Sequence, residues 1–402
     1  MAPRSTSWPR HAGTGAARRA TAFVALLAVL ALAVPVSAAE PAGAFSTPLE
    51  VRWIHRMNLA RDIDYMPVET AGVASDGLRA YAGSSRGIFY GFDLATGKVL
   101  WSFKASGAIG STPAISGDRV VFGDTDGYVY CLRADDGGLW WRYQVRGEVL
   151  GQPAIAGGRV FVASSSNNVT ALDLESGEWR WMFERPMPKG YSIRGVSSPV
   201  VEGANLYVGF SDGFFFALSA DAGTELWKNN LHEEGRFRDI DATPLVVGDR
   251  IYVSGYDDGF YCLDRAKGTI LWRREGGGVS RAAAAGSAVV VPGTDGNVYA
   301  VDAASGKEQW RLDVTETDLS RQIVKFMKRR RLATEAVAIG DRLIFGSERG
   351  FLYVVNQADG KILWRFTPGD GVAGTPIWVD GRLLFVGNGG NLYCLVPRHD
   401  RK

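Results

Sequence analysis

The pattern Gly-x-x-x-Trp recurs seven times, at Gly97–Trp101, Gly137–Trp141, Gly177–Trp181, Gly223–Trp227, Gly268–Trp272, Gly306–Trp310 and Gly360–Trp364. Trp53 makes an eighth tryptophan without its glycine, and consecutive members of the series are 48, 40, 40, 46, 45, 38 and 54 residues apart. Between them, short β-branched and aromatic runs alternate with turn signals. Residues 112–141 align without a gap on residues 243–272; each stretch opens on Thr-Pro, contains an Asp-Gly turn and reaches Tyr-Cys-Leu before its Gly-x-x-x-Trp. A lone hairpin is marginal in water, so such a unit must stack on copies of itself. Sheet units of this length are what the blades of a β-propeller require.

The two ends complete the count. Thr375-Pro376 opens an eighth unit whose strands, LLFVG and NLYCL, are followed by no Gly-x-x-x-Trp. The N-terminal strand carrying Trp53 is the piece that unit lacks. Pairing the two closes the ring and leaves no free edge at the join. The expectation is an all-β fold, an eight-bladed β-propeller of four-stranded antiparallel blades, with seven blades as the alternative if the first or last unit is degenerate. Each motif glycine lets the backbone turn where a Cβ would obstruct it. Trp53, Trp101, Trp141, Trp181, Trp227, Trp272, Trp310 and Trp364 are then plugs for the gaps between neighbouring sheets, not platforms for a ligand.

Residues 1–38 stand apart. Arg4, Arg10, Arg18 and Arg19 precede an apolar run from Ala20 to Val36, and Val36-Ser37-Ala38 supplies small residues for cleavage. This reads as a secretory signal peptide. Residues 39–48 are expected to be a flexible segment, 49–397 the propeller and 398–402 a tail. Removing four arginines and no acids takes the formal charge from +2 to −2, a balance that makes no electrostatic case for nucleic acid.

Chemistry-bearing motifs are sparse. Cys131, Cys262 and Cys394 occupy one repeat phase, Tyr-Cys-Leu each time, so they belong on separate units as free, buried thiols. No CxxC occurs, and no HExxH, G-x-S-x-G or P-loop accompanies the four histidines. No catalytic residue, metal ligand or cofactor site is expected from the residues; enzymatic activity would have to come from a bound cofactor. Function then belongs where the repeat is broken. Three connections are long: residues 183–197, residues 229–241, and residues 313–332, the last reading as a short helix with a basic end that could cover one face or meet an acidic partner.

The repeat seen as Leu172-Asp173, Gly177 and Trp181 resembles the tryptophan-docking repeat of the quinoprotein propellers, over essentially the whole mature chain. Quinoprotein alcohol dehydrogenases typically place adjacent cysteines beside a quinone and a calcium ion, and no adjacent cysteines occur here. A closer resemblance is to the BamB family of outer-membrane β-barrel assembly factors. It is carried by the blade number and by two stretches, Ser192-Ile193-Arg194-Gly195-Val196-Ser197-Ser198-Pro199 and Arg238-Asp239-Ile240-Asp241-Ala242-Thr243-Pro244. That resemblance implies a periplasmic, monomeric, non-enzymatic scaffold without a cofactor. It further implies a patch for a POTRA domain of the barrel-inserting subunit, formed by Tyr191, Ile193, Arg194, Asp239 and Asp241. Tyr191 stands where the family usually has leucine. Family members usually carry a lipid-modified cysteine at the mature N-terminus, whereas the first cysteine here is Cys131. The expectation is therefore a protein held at the outer membrane through its partners. The alternatives are a small quinone-dependent dehydrogenase and a secreted, ligand-binding propeller.

Overall fold

Short runs rich in β-branched and aromatic residues, separated by tight glycine turns, fold each repeat into a sheet of four antiparallel strands. The computed structural model describes residues 47–57, 69–188, 195–232, 237–256, 259–314, 332–348 and 350–398. Among these are eight such sheets, the blades of an eight-bladed β-propeller. Blades 1 to 7 run in chain order over residues 73–104, 114–144, 154–184, 200–230, 245–274, 283–313 and 337–366. In blade 3 the strands Ala154–Ala156, Arg159–Ser164, Asn168–Asp173 and Trp179–Glu184 pair in that order. The two middle strands are buried on both faces, so their side chains are mostly apolar on both and show no clean alternation. From blade 1 to blade 7 the first strand of each touches that of the next, and together they line the central channel.

Blade 8 takes strands from both ends of the chain. Leu49–Arg56 lies beside Asn391–Pro397, followed by Arg382–Gly387 and Ile377–Val379. Trp53 pairs with Cys394, and the register runs from Leu49 opposite Pro397 to Arg56 opposite Asn391. The eighth blade is thus complete, and the seven-bladed alternative falls away.

The tryptophans are docked by a device repeated around the ring. In every blade the pairing of the last strand skips the residue before the tryptophan: Ala171 faces Trp181 and Leu172 faces Trp179, leaving Arg180 as the extra residue of a bulge. Arg52 is skipped in the same way ahead of Trp53. A bulge bends the strand and re-aims the next side chain, here into the gap between blades. The indole then lies on the motif glycine of the following blade. A Cβ on Gly177 would sit 2.6 Å from the ring of Trp141, and one on Gly97 2.5 Å from that of Trp53. Gly177 also has φ +74°, so this position excludes a side chain for two reasons. In seven of the tryptophans Nε1–H completes the dock by donating to a carbonyl of that next blade. Trp53, Trp101, Trp141, Trp181, Trp227, Trp272 and Trp310 reach Leu94, Ala134, Leu174, Ala220, Arg265, Ala303 and Gln357 at 2.9–3.2 Å. Trp364 packs against the joining blade with Leu49, Leu383 and Phe385.

Cys131, Cys262 and Cys394 are free and buried. Burial pushes their thiols up to about 12, about 11 and about 11. Residues 1–38, expected to be a signal peptide, lie outside the described residues with most of residues 39–48 and with residues 399–402 of the tail, as do residues 315–331 of the long connection between blades 6 and 7.

Candidate functional site

The connections into blades 4 and 5 meet. The first leaves blade 3 under restraint: Arg185 pairs with Asp212 at 2.7 Å and lies over the rings of Phe214 and Phe216 at 5.0 and 5.1 Å. Asn167 donates to the Pro186 carbonyl at 3.0 Å. Tyr191, Ile193 and Arg194 fall outside the described residues, and the chain resumes at Gly195. There it is fixed again. Ser197 Oγ donates to the Ala242 carbonyl at 3.1 Å and accepts from the Gly209 amide at 3.2 Å. The Ser198 amide donates to Thr243 Oγ1 at 3.3 Å.

The second connection approaches from the other side. Phe237 meets Tyr256 edge-to-face at 5.5 Å. Ile240 is wholly buried against Tyr207, Phe215 and Val253, and its amide donates to the Phe210 carbonyl at 3.3 Å. Anchoring Ile240 in the core takes its neighbours down with it. Asp239 is 0% exposed and Asp241 9%. The resemblance counts these two among the residues of a contact patch, yet both lie beneath the surface. The Asp241 carboxylate rests directly under Gly195, where a Cβ would be 2.2 Å from Oδ2. Gly195 is the one residue type that lets the two connections approach this closely.

Burial disfavours charge on Asp241, and the nearby charge of Asp239 adds to this, so its carboxyl is pushed up to about 8. Among the described residues no donor reaches Asp241 Oδ2. It borders a narrow pocket, shared with Asn167, Ser197 and Ser211, with room for about one water molecule. The geometry is that of a support: a buried, largely neutral acid holds the base of the segment that continues into residues 191–194. Spacing alone gave no sign of this, since Asp-x-Asp in an irregular connection reads as solvated charge; the signal was the isoleucine between them.

Among the described residues no group of three or more His, Cys, Asp or Glu side chains is gathered to hold a metal ion. The sequence profile described as outer membrane protein assembly factor BamB matches residues 50–129, 85–312 and 294–396. No curated protein matches the chain. Among solved structures, BamB from Moraxella catarrhalis is similar, with a TM-score of 0.73 and 23% identity, covering 87% of this chain and 100% of that one. A quinohemoprotein alcohol dehydrogenase from Pseudomonas putida HK5 has a TM-score of 0.67 and 14% identity over 88% of this chain and 77% of its own. A europium-containing methanol dehydrogenase has a TM-score of 0.69 and 14% identity over 86% and 84%. At these identities the structural likenesses establish the shared propeller fold.

Proposed function

The chain belongs to the family described as outer membrane protein assembly factor BamB, and from that membership we propose that it is a non-enzymatic scaffold of the periplasm. In this role it binds protein partners and assists the assembly of outer-membrane β-barrel proteins. The observation that carries the reading is the junction of the two long connections at Gly195 and Asp241, within a chain matched by the family profile from residue 50 to 396.

A docking surface needs side chains held in place before the partner arrives, because ordering them afterwards costs affinity. Here Ser197 and Ser198 are hydrogen-bonded on one side of the undescribed segment and Arg185 is ion-paired on the other. In the proposed arrangement Tyr191 and Ile193 supply an apolar centre and Arg194 a cation able to grip a carboxylate with two hydrogen bonds. Asp239 and Asp241 act from below, as supports of the same segment. The partner of this class is a POTRA domain of the barrel-inserting subunit, and contact with it would hold the propeller near the outer membrane.

The test is capture of that subunit from a cell envelope by the folded protein. Arg194→Glu is expected to weaken capture by about 2–5 kcal/mol, the cost of reversing a desolvated, paired charge. Its melting temperature should match that of the parent. Undiminished capture by both Arg194→Glu and Tyr191→Ala removes residues 191–194 from the interface.

A further inference from the structure

The central channel repeats one small element, and two adjacent blades replace it with charge. Two residues ahead of each first strand, six of the eight blades place Thr112, Gln152, Ser198, Thr243, Thr375 or Ala71, and five of these six continue with proline. The polar members stitch the ring. Thr112 Oγ1 accepts from the Gly72 amide at 2.9 Å, and Ser198 Oγ from the Gln152 amide at 2.8 Å. Blades 6 and 7 instead carry Arg281-Ala282 and Glu335-Ala336 at this position. Proline gives way to alanine in both, and a charge of each sign replaces the neutral stitch.

Arg281 lines a cavity of about 410 Å³ together with Ser75, Gln152, Ser198 and Thr243. That volume falls within the range of about 300–1,000 Å³ typical of small-molecule sites. Of the described residues lining it, Arg281 is the one that bears a charge. Its guanidinium is not consumed by its neighbour: Nη1 stands 3.8 Å from Glu335 Oε1, beyond hydrogen-bond distance. Burial pushes Glu335 up to about 7 against the pull of Arg281, the mark of a loosely made ion pair. A planar guanidinium with spare N–H groups is matched by a carboxylate, which takes two of them at once. Around it the hydroxyls of Ser198 and Thr243, which accept from backbone amides, and the side-chain carbonyl of Gln152 offer partners to hydroxyl groups. The walls between them, Ile115 and Ile155, are apolar.

We infer that the central channel is a binding site for a small hydroxylated carboxylate, held through its carboxylate by Arg281 and through its hydroxyls by the polar ring of blades 3 to 5. Glu335 orients the guanidinium and, as a competing anion, tempers the affinity. The site is built from residues other than 191–194, so its test is distinct from that of partner docking.

The experiment is isothermal titration calorimetry of the purified protein with D-gluconate as the probe, and with acetate and D-glucose as controls. Saturable binding of gluconate is expected, with acetate weaker by about tenfold or more and no heat from glucose. Arg281→Met should abolish the binding, and Glu335→Gln should tighten it about threefold or more, since a like charge beside the ligand is removed. If Arg281→Met does not fold, judged by its circular dichroism melt, Glu335→Gln decides: unchanged or weaker binding refutes the inference. So does an absence of saturation by roughly 10 mM gluconate, a free energy of binding weaker than about −3 kcal/mol. Acetate binding as tightly as gluconate would overturn the hydroxylated class, and glucose binding as tightly would overturn the role of Arg281.

Discussion

If the N-terminal strand closes the ring, Trp53 holds the first blade to the last, and its removal has a calculable cost. The indole donates to Leu94 at 3.1 Å and covers Gly97 at contact distance. It packs in a cluster with Leu384, Val386 and Cys394. Truncating a buried tryptophan to alanine costs about 3–5 kcal/mol. Trp53 is only half-buried, which places Trp53→Ala at the lower end, about 3 kcal/mol. For a domain of this size, each kcal/mol moves the midpoint by about 2 °C, so the melting temperature should fall by about 6 °C. Arg52→Ala is the matched control. Arg52 is the exposed, skipped residue of the bulge, and surface changes of this kind stay within about 0.5 kcal/mol. Deleting residues 49–56 also removes buried Leu49 and the pairing with Asn391–Pro397. Its cost, about 5–8 kcal/mol, is comparable with the whole stability of many domains. Melts followed by circular dichroism at one protein concentration provide the comparison. A Trp53→Ala melt that coincides with that of Arg52→Ala would refute the closure argument.

The remaining expectations concern the buried thiols and the buried acids. Cys131, Cys262 and Cys394, raised to about 12, about 11 and about 11 by burial, should not react with a thiol-selective disulfide reagent at pH 8 in the native protein. All three should appear after denaturation, whereas fast native labelling of any one would contradict its burial. Asp241 rises from 3.8 to about 8 on folding, so the folded state keeps a proton that the unfolded chain has lost. Stability contributed by this group is full below about pH 4 and declines as pH rises through about 8, by roughly 5 kcal/mol at most. Glu335, raised from 4.5 to about 7, contributes in the same direction. Asp241→Asn should therefore flatten the pH dependence of the melting temperature and stabilise the protein at pH 8. A wild-type melting temperature that climbs between pH 5 and pH 8, with Asp241→Asn rising in parallel, would exclude a raised Asp241.

The architecture was legible because a propeller states its plan many times. Seven copies of Gly-x-x-x-Trp and a stray Trp53 were enough to expect eight blades and a closing strand. What the motif hid was its own wiring. Its glycine and tryptophan sit four residues apart and look like partners, yet Gly177 receives Trp141 and Gly137 receives Trp101, each from the blade before. Contacts between successive copies of an identical motif leave no mark that distinguishes them from contacts within one copy. Asp239 and Asp241 were misread for a different reason. Charge in an irregular connection is usually solvated, but Ile240 is pinned in the core and the chain on either side has no length in which to resurface. Arg281 and Glu335 were visible in the sequence as departures from Thr-Pro, and their meaning emerged only once the ring brought blades 6 and 7 side by side.

The two candidate sites are joined by short stretches of chain, and the hydrogen bonds decide whether they act together. Ser198 lies three residues beyond Gly195 and lines the channel. Its hydroxyl accepts from the Gln152 amide of the blade before, and its amide donates to Thr243 of the blade after. Pro199 follows and fixes the backbone angle. A residue held from both sides does not pass on small displacements, because a packed element bonded on two sides shifts only when those bonds break. Changes at residues 191–194 should thus stop at Gly195. Arg194→Glu, which is expected to lose the protein partner, should bind gluconate with the affinity of the parent. Glu335→Gln should capture the envelope partner as the parent does. If either variant alters the other site's binding by tenfold, an energetic coupling of about 1.4 kcal/mol, the ring of hydroxyl stitches is a mobile link instead of a fixed frame.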